Sequence, residues 1–215
     1  MQKQFWQNKW NSNEIGFHQP TANPLLIKNI GHLNLSPSNR IFIPLCGKTL
    51  DIAWLLSQGF KVVGAEIIES AIIQLFNELE LIPTVNELPD GKHYCAQDID
   101  IYVGDILNLT QHLVGQIDAV YDRAALVALP EVTRVSYAKH IQTLSQFAPQ
   151  LLITFEYHQT TMQGPPFSIS KEELKAHYAD NYLLNLLAED KVQDAVKGNL
   201  NIVENIWHLD AKKIQ

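Results

Sequence analysis

The residues best able to do chemistry lie at the ends of predicted strands. Glu66 ends a predicted strand and follows Gly47 by nineteen positions, about the spacing at which a strand-end carboxylate meets ribose hydroxyls in dinucleotide-binding folds. The glycine-rich fingerprint GxGxxG is missing, because Gly47 stands alone. The phosphate-binding loop that Gly47-Lys48-Thr49 resembles is also incomplete, since Phe42 stands where it needs a glycine.

This combination favours a nucleoside without phosphates. Glycine repeats let the backbone approach a pyrophosphate, whereas a strand-end carboxylate binds a ribose diol. S-adenosylmethionine is such a nucleoside, so Glu66 is a candidate ribose ligand. The alternative is that Glu66 is a solvated acid at a strand end.

Two further strand ends carry charged residues. Asp105 follows a predicted strand and could help to seat an adenine or could cap the next turn. Arg123 could bind the carboxylate of a methionine moiety or an anionic substrate. Its alternative role is an ion pair with Asp122 or another acid.

Aromatic residues precede the first predicted strand. Trp6 and Trp10 have helical spacing and share one helix face, which indicates either core packing or a cover over the cleft. His18 is a possible base, or a structural histidine. The histidines show no metal-ligand spacing, and no Ser-His-Asp set can be assembled, so we expect no metal site.

These residues need an α/β scaffold to position them. Short apolar runs predict strands over 40–45, 61–66, 99–103, 117–121 and 150–155, and amphipathic stretches predict helices over 50–58, 69–80 and 131–147. Apolar strands alternating with helices favour a parallel sheet covered on both faces. We expect turns over 83–92 and a final antiparallel hairpin formed by 183–187 and 202–209 around Gly198-Asn199.

The chain is expected to form a single domain. Residues 1–39 hold no clear strand and predict a helical cover, and residues 40–215 supply the sheet and its helices. The 215 residues are 46% hydrophobic and 18% charged, which is ordinary for a globular protein.

A net charge of −7 disfavours nucleic acid as a partner. Without a signal-like or membrane-spanning segment, we expect a cytoplasmic monomer with reduced cysteines and no membrane partner.

Several longer motifs resemble the thiopurine S-methyltransferase family, in its bacterial branch. The matching blocks are Phe5-Trp6 with Trp10, Ile15-Gly16-Phe17-His18, Pro44-Leu45-Cys46-Gly47-Lys48 with Asp51 and Trp54-Leu55, Val63-Gly64-x-Glu66, the run from Tyr121 to Pro130, and Gly164-Pro165-Pro166-Phe167. The similarity runs from about residue 5 to residue 168.

The resemblance implies a class I methyltransferase fold with a mixed seven-stranded sheet, its last strand antiparallel, and N-terminal covering helices. It implies S-adenosyl-L-methionine as cofactor, bound by Trp10, Leu45, Glu66, Asp105, Ile106 and Arg123, with Phe17 facing the acceptor. The implied activity is S-methylation of aromatic and heterocyclic thiols, and the resemblance to bacterial members also associates the chain with methylation of selenium and tellurium compounds.

Methyl transfer from a sulfonium is an in-line displacement, so the protein mainly aligns the reactants and excludes water. A thiol of low pKa is already partly anionic near neutral pH and needs no dedicated base. We therefore assign no catalytic base. The alternatives are methylation of selenium or tellurium oxyanions, a non-catalytic binder of metalloid or cofactor, and an NAD-dependent oxidoreductase, which the absent GxGxxG disfavours.

Overall fold

The protein is described here by a computed structural model that covers residues 3–192 and 202–212. Gly198 and Asn199, the predicted turn of the last hairpin, lie outside the described residues. The strands are β1 Arg40–Ile43, β2 Lys61–Glu66, β3 Thr84–Leu88, β4 Gly91–Ala96, β5 Ile99–Gly104, β6 Ala119–Arg123, β7 Gln150–Glu156, β8 Tyr182–Lys191 and β9 Val203–Ala211. The α-helices are α1 Lys3–Asn11, α2 Pro24–Asn29, α3 Leu50–Ser57, α4 Glu69–Glu78, α5 Gln111–Val114, α6 Glu131–Leu144 and α7 Lys171–Tyr178.

The described strands form one sheet in the order β3-β4-β5-β2-β1-β6-β7-β9-β8. Its five central strands, β5-β2-β1-β6-β7, are parallel to one another. Strand β9 runs antiparallel between β7 and β8. The central strands are apolar on both faces because a core cluster of side chains covers each face.

The predicted parallel sheet, the antiparallel last strand and the final hairpin are confirmed, but the number of strands was wrong. The described sheet has nine strands instead of seven. The two extra strands are β3 and β4, an antiparallel hairpin on the outer edge of β5. This hairpin occupies most of the stretch 83–92 that was expected to form turns.

Local backbone geometry explains the shifted boundaries. β1 ends two residues before the predicted Leu45, whose φ of 47° is incompatible with a strand. The helix predicted over 131–147 stops at Leu144, because Gln146 and Phe147 both have positive φ. β6 begins and ends two residues later than predicted, so that Arg123 is its last residue.

Buried hydrogen bonds attach the start of α2 to the sheet through α3. The Asp51 carboxylate, 1% exposed, accepts from the Asn23 backbone N–H at 2.6 Å and from the Tyr121 hydroxyl at 3.1 Å. Asn23 in turn caps α2 by accepting from the Leu25 N–H. No helix in the described ranges is long and apolar enough to cross a lipid bilayer.

Candidate active site

The carboxyl ends of β1, β2, β5 and β6 meet at one edge of the sheet, because these neighbouring strands are parallel. Ligands of open α/β sheets bind at this edge. The strand-end residues named from the sequence lie at this edge: Glu66 and Arg123 end β2 and β6, and Asp105 follows β5.

Glu66 is a buried carboxylate, 7% exposed, and not the solvated acid that was its alternative. Its Oε1 accepts from the backbone N–H groups of Ile67 and Ile68 at 2.8 and 2.9 Å, and its Oε2 accepts from the Gly47 N–H at 2.9 Å. Burial raises the pKa of Glu66, and these hydrogen bonds oppose the rise. Glu66 thus joins the segment after β2 to the turn after β1.

The turn after β1 has a left-handed backbone at two positions. Leu45 has a φ of 47° and Gly47 a φ of 51°. A left-handed leucine is rare and marks a backbone that its surroundings hold in place. This conformation presents the Gly47 N–H to Glu66.

Trp10 covers this turn from α1. A Cβ atom on Gly47 would lie 3.2 Å from Cζ2 of the Trp10 ring, so glycine permits the close approach. Trp10 is 8% exposed and packs in one cluster with Ile67 and Ile68. The structure therefore brings Trp10, Gly47 and Glu66 together.

Phe17 lies in the same aromatic cover. Its ring makes edge-on contacts with Trp6 and Trp10, at centroid distances of 5.8 and 5.9 Å. Through this cluster the N-terminal helix packs against the segment that follows β2. The packing interpretation of the tryptophan pair is confirmed, and its role as a cover over the cleft stays a prediction.

Asp105 and Ile106 follow β5. The Asp105 carboxylate caps a short 3₁₀ turn by accepting from the Leu107 N–H at 3.1 Å, as one of its alternatives predicted. The Ile106 side chain is 2% exposed and belongs to the core. A cavity of about 590 Å³ opens nearby, bordered by Ile67 after β2, by Gly104 at the end of β5, and by α1.

Asp122 and Arg123 do not form an ion pair. Asp122 is fully buried and accepts from the Tyr137 hydroxyl at 2.6 Å and the Leu126 N–H at 3.1 Å. Burial raises the pKa of Asp122 to about 6. Its role is to fix the turn after β6, where Ala124 has a φ of 61°.

The Arg123 guanidinium makes no hydrogen bond or salt bridge within residues 3–192 and 202–212. Burial lowers the pKa of His18, and the charges of Lys48 and, less strongly, Arg123 lower it further. Burial raises the pKa of Glu204 on β9, which the charge of Arg123 opposes. Arg123 is therefore a cation near Glu204 and near the segment that carries Phe17 and His18.

Three residues near this site had no role assigned from the sequence. Lys48 donates to Glu78 at 2.6 Å and contributes positive charge near His18. Asp51 lies within a recognised motif but acts through its bonds to Asn23 and Tyr121. Glu204 comes from β9, far along the chain, and no local sequence signal points to it.

The Gly164-Pro165-Pro166-Phe167 motif lies against the turn after β6. The Phe167 N–H donates to the Val127 carbonyl at 2.7 Å, and the Tyr157 hydroxyl donates to the Pro166 carbonyl at 2.6 Å. These bonds place the motif beside the turn that Asp122 fixes.

The arrangement fits a nucleoside bearing a sulfonium. A carboxylate has about four acceptor positions, and the described residues fill three of those on Glu66, which leaves Oε2 able to accept from a ribose hydroxyl. The Trp10 ring lies near this carboxylate, and the Arg123 guanidinium comes from the end of a different strand, β6.

The fold defines the class of protein. The structure superposes with a TM-score of 0.66 on a 1,6-didemethyltoxoflavin-N1-methyltransferase of Burkholderia thailandensis that was solved with S-adenosylhomocysteine. The two chains are 13% identical, and the match covers 97% of this chain and 87% of the other. The fold is that of class I S-adenosylmethionine-dependent methyltransferases, as predicted.

Sequence comparison then gives the family. The model of the thiopurine S-methyltransferase family matches residues 1–211. The thiopurine S-methyltransferases of Xanthobacter autotrophicus and Teredinibacter turnerae are each 44% identical to this chain, covering 98% and 97% of it and 99% and 97% of their own lengths. The chain belongs to the thiopurine S-methyltransferase family. It is an enzyme, a methyltransferase whose cofactor is S-adenosylmethionine.

Proposed function

We propose that this enzyme methylates the sulfur of aromatic and heterocyclic thiols such as thiopurines. The observation that carries the proposal is the Arg123 guanidinium, which makes no hydrogen bond or salt bridge in the described ranges and lies near the segment bearing Phe17 and His18. A cation attracts a thiolate, and an aromatic wall suits a flat heterocycle.

The cofactor supplies an electrophilic methyl group on a sulfonium. We infer that Trp10, Leu45, Glu66, Asp105, Ile106 and Arg123 hold it. Glu66 would accept from the ribose through Oε2, and Trp10 would exclude water from that side. Because the Ile106 side chain is buried in the core, its contact would come from main-chain atoms. Asp105 would contribute near the adenine while it keeps its cap.

No base is needed for this chemistry. The lowered pKa of His18 leaves it neutral near pH 7, and the acceptor thiol ionises by itself. Arg123 would then stabilise the thiolate or bind the methionine carboxylate, and Phe17 would contact the ring of the acceptor.

The test is methyl transfer from labelled S-adenosylmethionine to a thiopurine, an aromatic thiol and the matching phenol. We expect the two thiols to be methylated and the phenol to be inert, because its oxygen is mostly protonated near pH 7. Arg123→Gln should lower the rate by about tenfold or more, as expected when a charged hydrogen bond is lost. Arg123→Lys, which keeps the charge, should retain part of the rate. The proposal is contradicted if neither thiol is methylated.

A second candidate activity is methylation of selenium or tellurium oxyanions. The same guanidinium, which makes no hydrogen bond among the described residues, favours it, since arginine binds oxyanions through two parallel hydrogen bonds. Adding selenite and tellurite to the assay decides between the two acceptor classes. Methylated metalloid without methylated thiol would replace the leading proposal with this one.

We further infer that the enzyme acts as a cytoplasmic, single-domain monomer on a small molecule. Light scattering should give a mass near 24.4 kDa for the purified protein. Twice that mass would show a dimer and overturn this part of the proposal.

A further inference from the structure

A group of three metal-ligating side chains lies outside the site described above. His93 and Cys95 come from β4, and Asp100 comes from β5. One ligand atom from each lies within 4.8 Å of the other two, and the His93 Nε2 to Asp100 Oδ1 distance is 2.9 Å. All three side chains are partly exposed and therefore accessible to an ion from solvent.

Strand pairing creates this cluster. In the antiparallel register, Cys95 lies opposite Asp100, and His93 lies opposite Tyr102. Alternate residues of a strand share one face, so His93, Cys95 and Asp100 all project from the same face of the hairpin. The spacing of the histidines predicted no metal site because the third ligand comes from the adjacent strand.

Neighbouring groups hold the ligands in position. The Tyr102 ring stacks on the His93 ring, with centroids 4.5 Å apart and planes within 6°. The Arg40 guanidinium lies 3.5 Å from Asp100 Oδ2, which leaves Oδ1 directed at His93. The Asn86 amide contacts the Cys95 sulfur at 3.9 Å.

We propose that His93, Cys95 and Asp100 form a zinc-binding site with a water molecule as fourth ligand. Zinc prefers tetrahedral sites made of sulfur, imidazole nitrogen and carboxylate oxygen. Such geometry separates the ligand atoms by about 3.3–3.6 Å, so the His93 and Asp100 atoms must separate slightly from 2.9 Å, and the other separations, all within 4.8 Å, must adjust to that range. On binding, the Cys95 thiol releases its proton to solvent and the thiolate sulfur donates an electron pair to zinc.

The site is separate from the proposed methyl-transfer site. Asp100 is near the start of β5, whereas Asp105 follows its end. The metal would join β4 to β5 and so stabilise the edge hairpin. Its test therefore does not depend on any methyl acceptor.

Untagged, chelator-treated protein would be titrated with cobalt(II), which occupies zinc sites and gives a thiolate-to-cobalt charge-transfer absorption. We expect this absorption in the unaltered protein and its loss in Cys95→Ser. His93→Asn and Asp100→Asn should each weaken binding by at least about tenfold, since even outer-shell partners contribute that much. The matched control is Cys46→Ala, which removes the other, buried cysteine and should keep the absorption.

Zinc should also displace cobalt and raise the thermal midpoint of the unaltered protein but not of Cys95→Ser. In the unaltered protein, zinc should protect Cys95 from iodoacetamide, as peptide mapping can measure without any variant. The proposal is overturned if no thiolate absorption develops, if the absorption survives Cys95→Ser, or if zinc leaves alkylation of Cys95 unchanged.

Discussion

Glu66 illustrates how one residue can organise a loop and also be available to a ligand. Its two oxygens accept from the N–H groups of Gly47, Ile67 and Ile68, which lie on two different strand-end segments. Loss of the carboxylate would leave these buried donors without an acceptor, and each unsatisfied donor lowers the free energy of unfolding. In the proposed cofactor site, stability and cofactor binding are therefore linked at this residue.

Glu66→Gln should reduce both properties, because the new NH2 group donates and cannot accept, so at least one of the backbone N–H groups of Gly47, Ile67 and Ile68 loses its acceptor. We expect the free energy of unfolding to fall by about 1–3 kcal/mol and S-adenosylhomocysteine binding to weaken about tenfold or more. Denaturant unfolding and calorimetric titration measure the two effects. Glu189→Gln makes the same chemical change at an exposed salt bridge and should alter neither; unchanged ligand affinity in Glu66→Gln would remove Glu66 from the proposed site.

Asp122 should control the pH dependence of stability. Its pKa of about 6 in the folded protein exceeds the reference value of about 3.9, so the native state retains a proton that the unfolded chain releases. This contribution to stability is complete below about pH 4 and is lost as the pH rises through about 6, a change of about 3 kcal/mol.

Asp122→Asn should remove that contribution, because an amide does not titrate. The difference in unfolding free energy between the unaltered protein and the variant should therefore change across about pH 4–7, as urea unfolding at several pH values can show. Asp180→Asn, at an exposed position, should leave the pH profile unaltered. A profile for Asp122→Asn that parallels that of the unaltered protein would refute this assignment.

The pair Asp122-Arg123 shows what sequence reasoning could and could not resolve. From position alone, an ion pair and a free arginine were both open. Successive residues of a strand point to opposite faces, and β6 extends through Arg123, so the two side chains separate. With the strand predicted to end at residue 121, that argument could not be made.

At the scale of elements, apolar strands were predictable and the exposed hairpin was not. β2 has burial over five of its six residues, and its predicted bounds 61–66 are confirmed. β3 has only one partly buried residue in its described pattern, Leu88. A strand without a buried face has no alternating pattern to recognise, and its turn-forming neighbours dominated the prediction.

The contact between α1 and the turn after β1 can be tested at Gly47. Gly47→Ala should lower stability, because a left-handed φ of 51° costs an alanine about 1–2 kcal/mol. The new methyl group would also push Trp10 away from Glu66 and weaken S-adenosylhomocysteine binding.

Gly31→Ala is the matched control, since a Cβ there meets nothing within 4 Å and its φ is not left-handed. It should change the unfolding free energy by less than about 0.5 kcal/mol. Thermal unfolding and ligand titration of both variants measure the effects. Equal ligand affinity in Gly47→Ala and the unaltered protein would contradict a role for this contact in the site.

At the scale of the whole molecule, the sheet and its cover together form the proposed binding site. S-adenosylhomocysteine should therefore stabilise the native protein by about 2.7 kcal/mol at a concentration of 100 times its Kd. NADH should not, because the turn after β1 lacks the glycines that a pyrophosphate requires. Differential scanning calorimetry compares the two. A rise in the thermal midpoint with NADH and none with S-adenosylhomocysteine would contradict the proposed binding site.

The position of α1 in the chain has a consequence for biosynthesis. Trp10 leaves the ribosome before its partners Ile67, Ile68 and Ala71, a delay of several seconds at about 5–20 residues per second. During that interval the Trp10 ring lacks the surface formed by Ile67, Ile68 and Ala71. The nascent chain must therefore complete β1, β2 and the start of α4 before α1 can pack against its partners, so α1 does not settle in the order in which it is made.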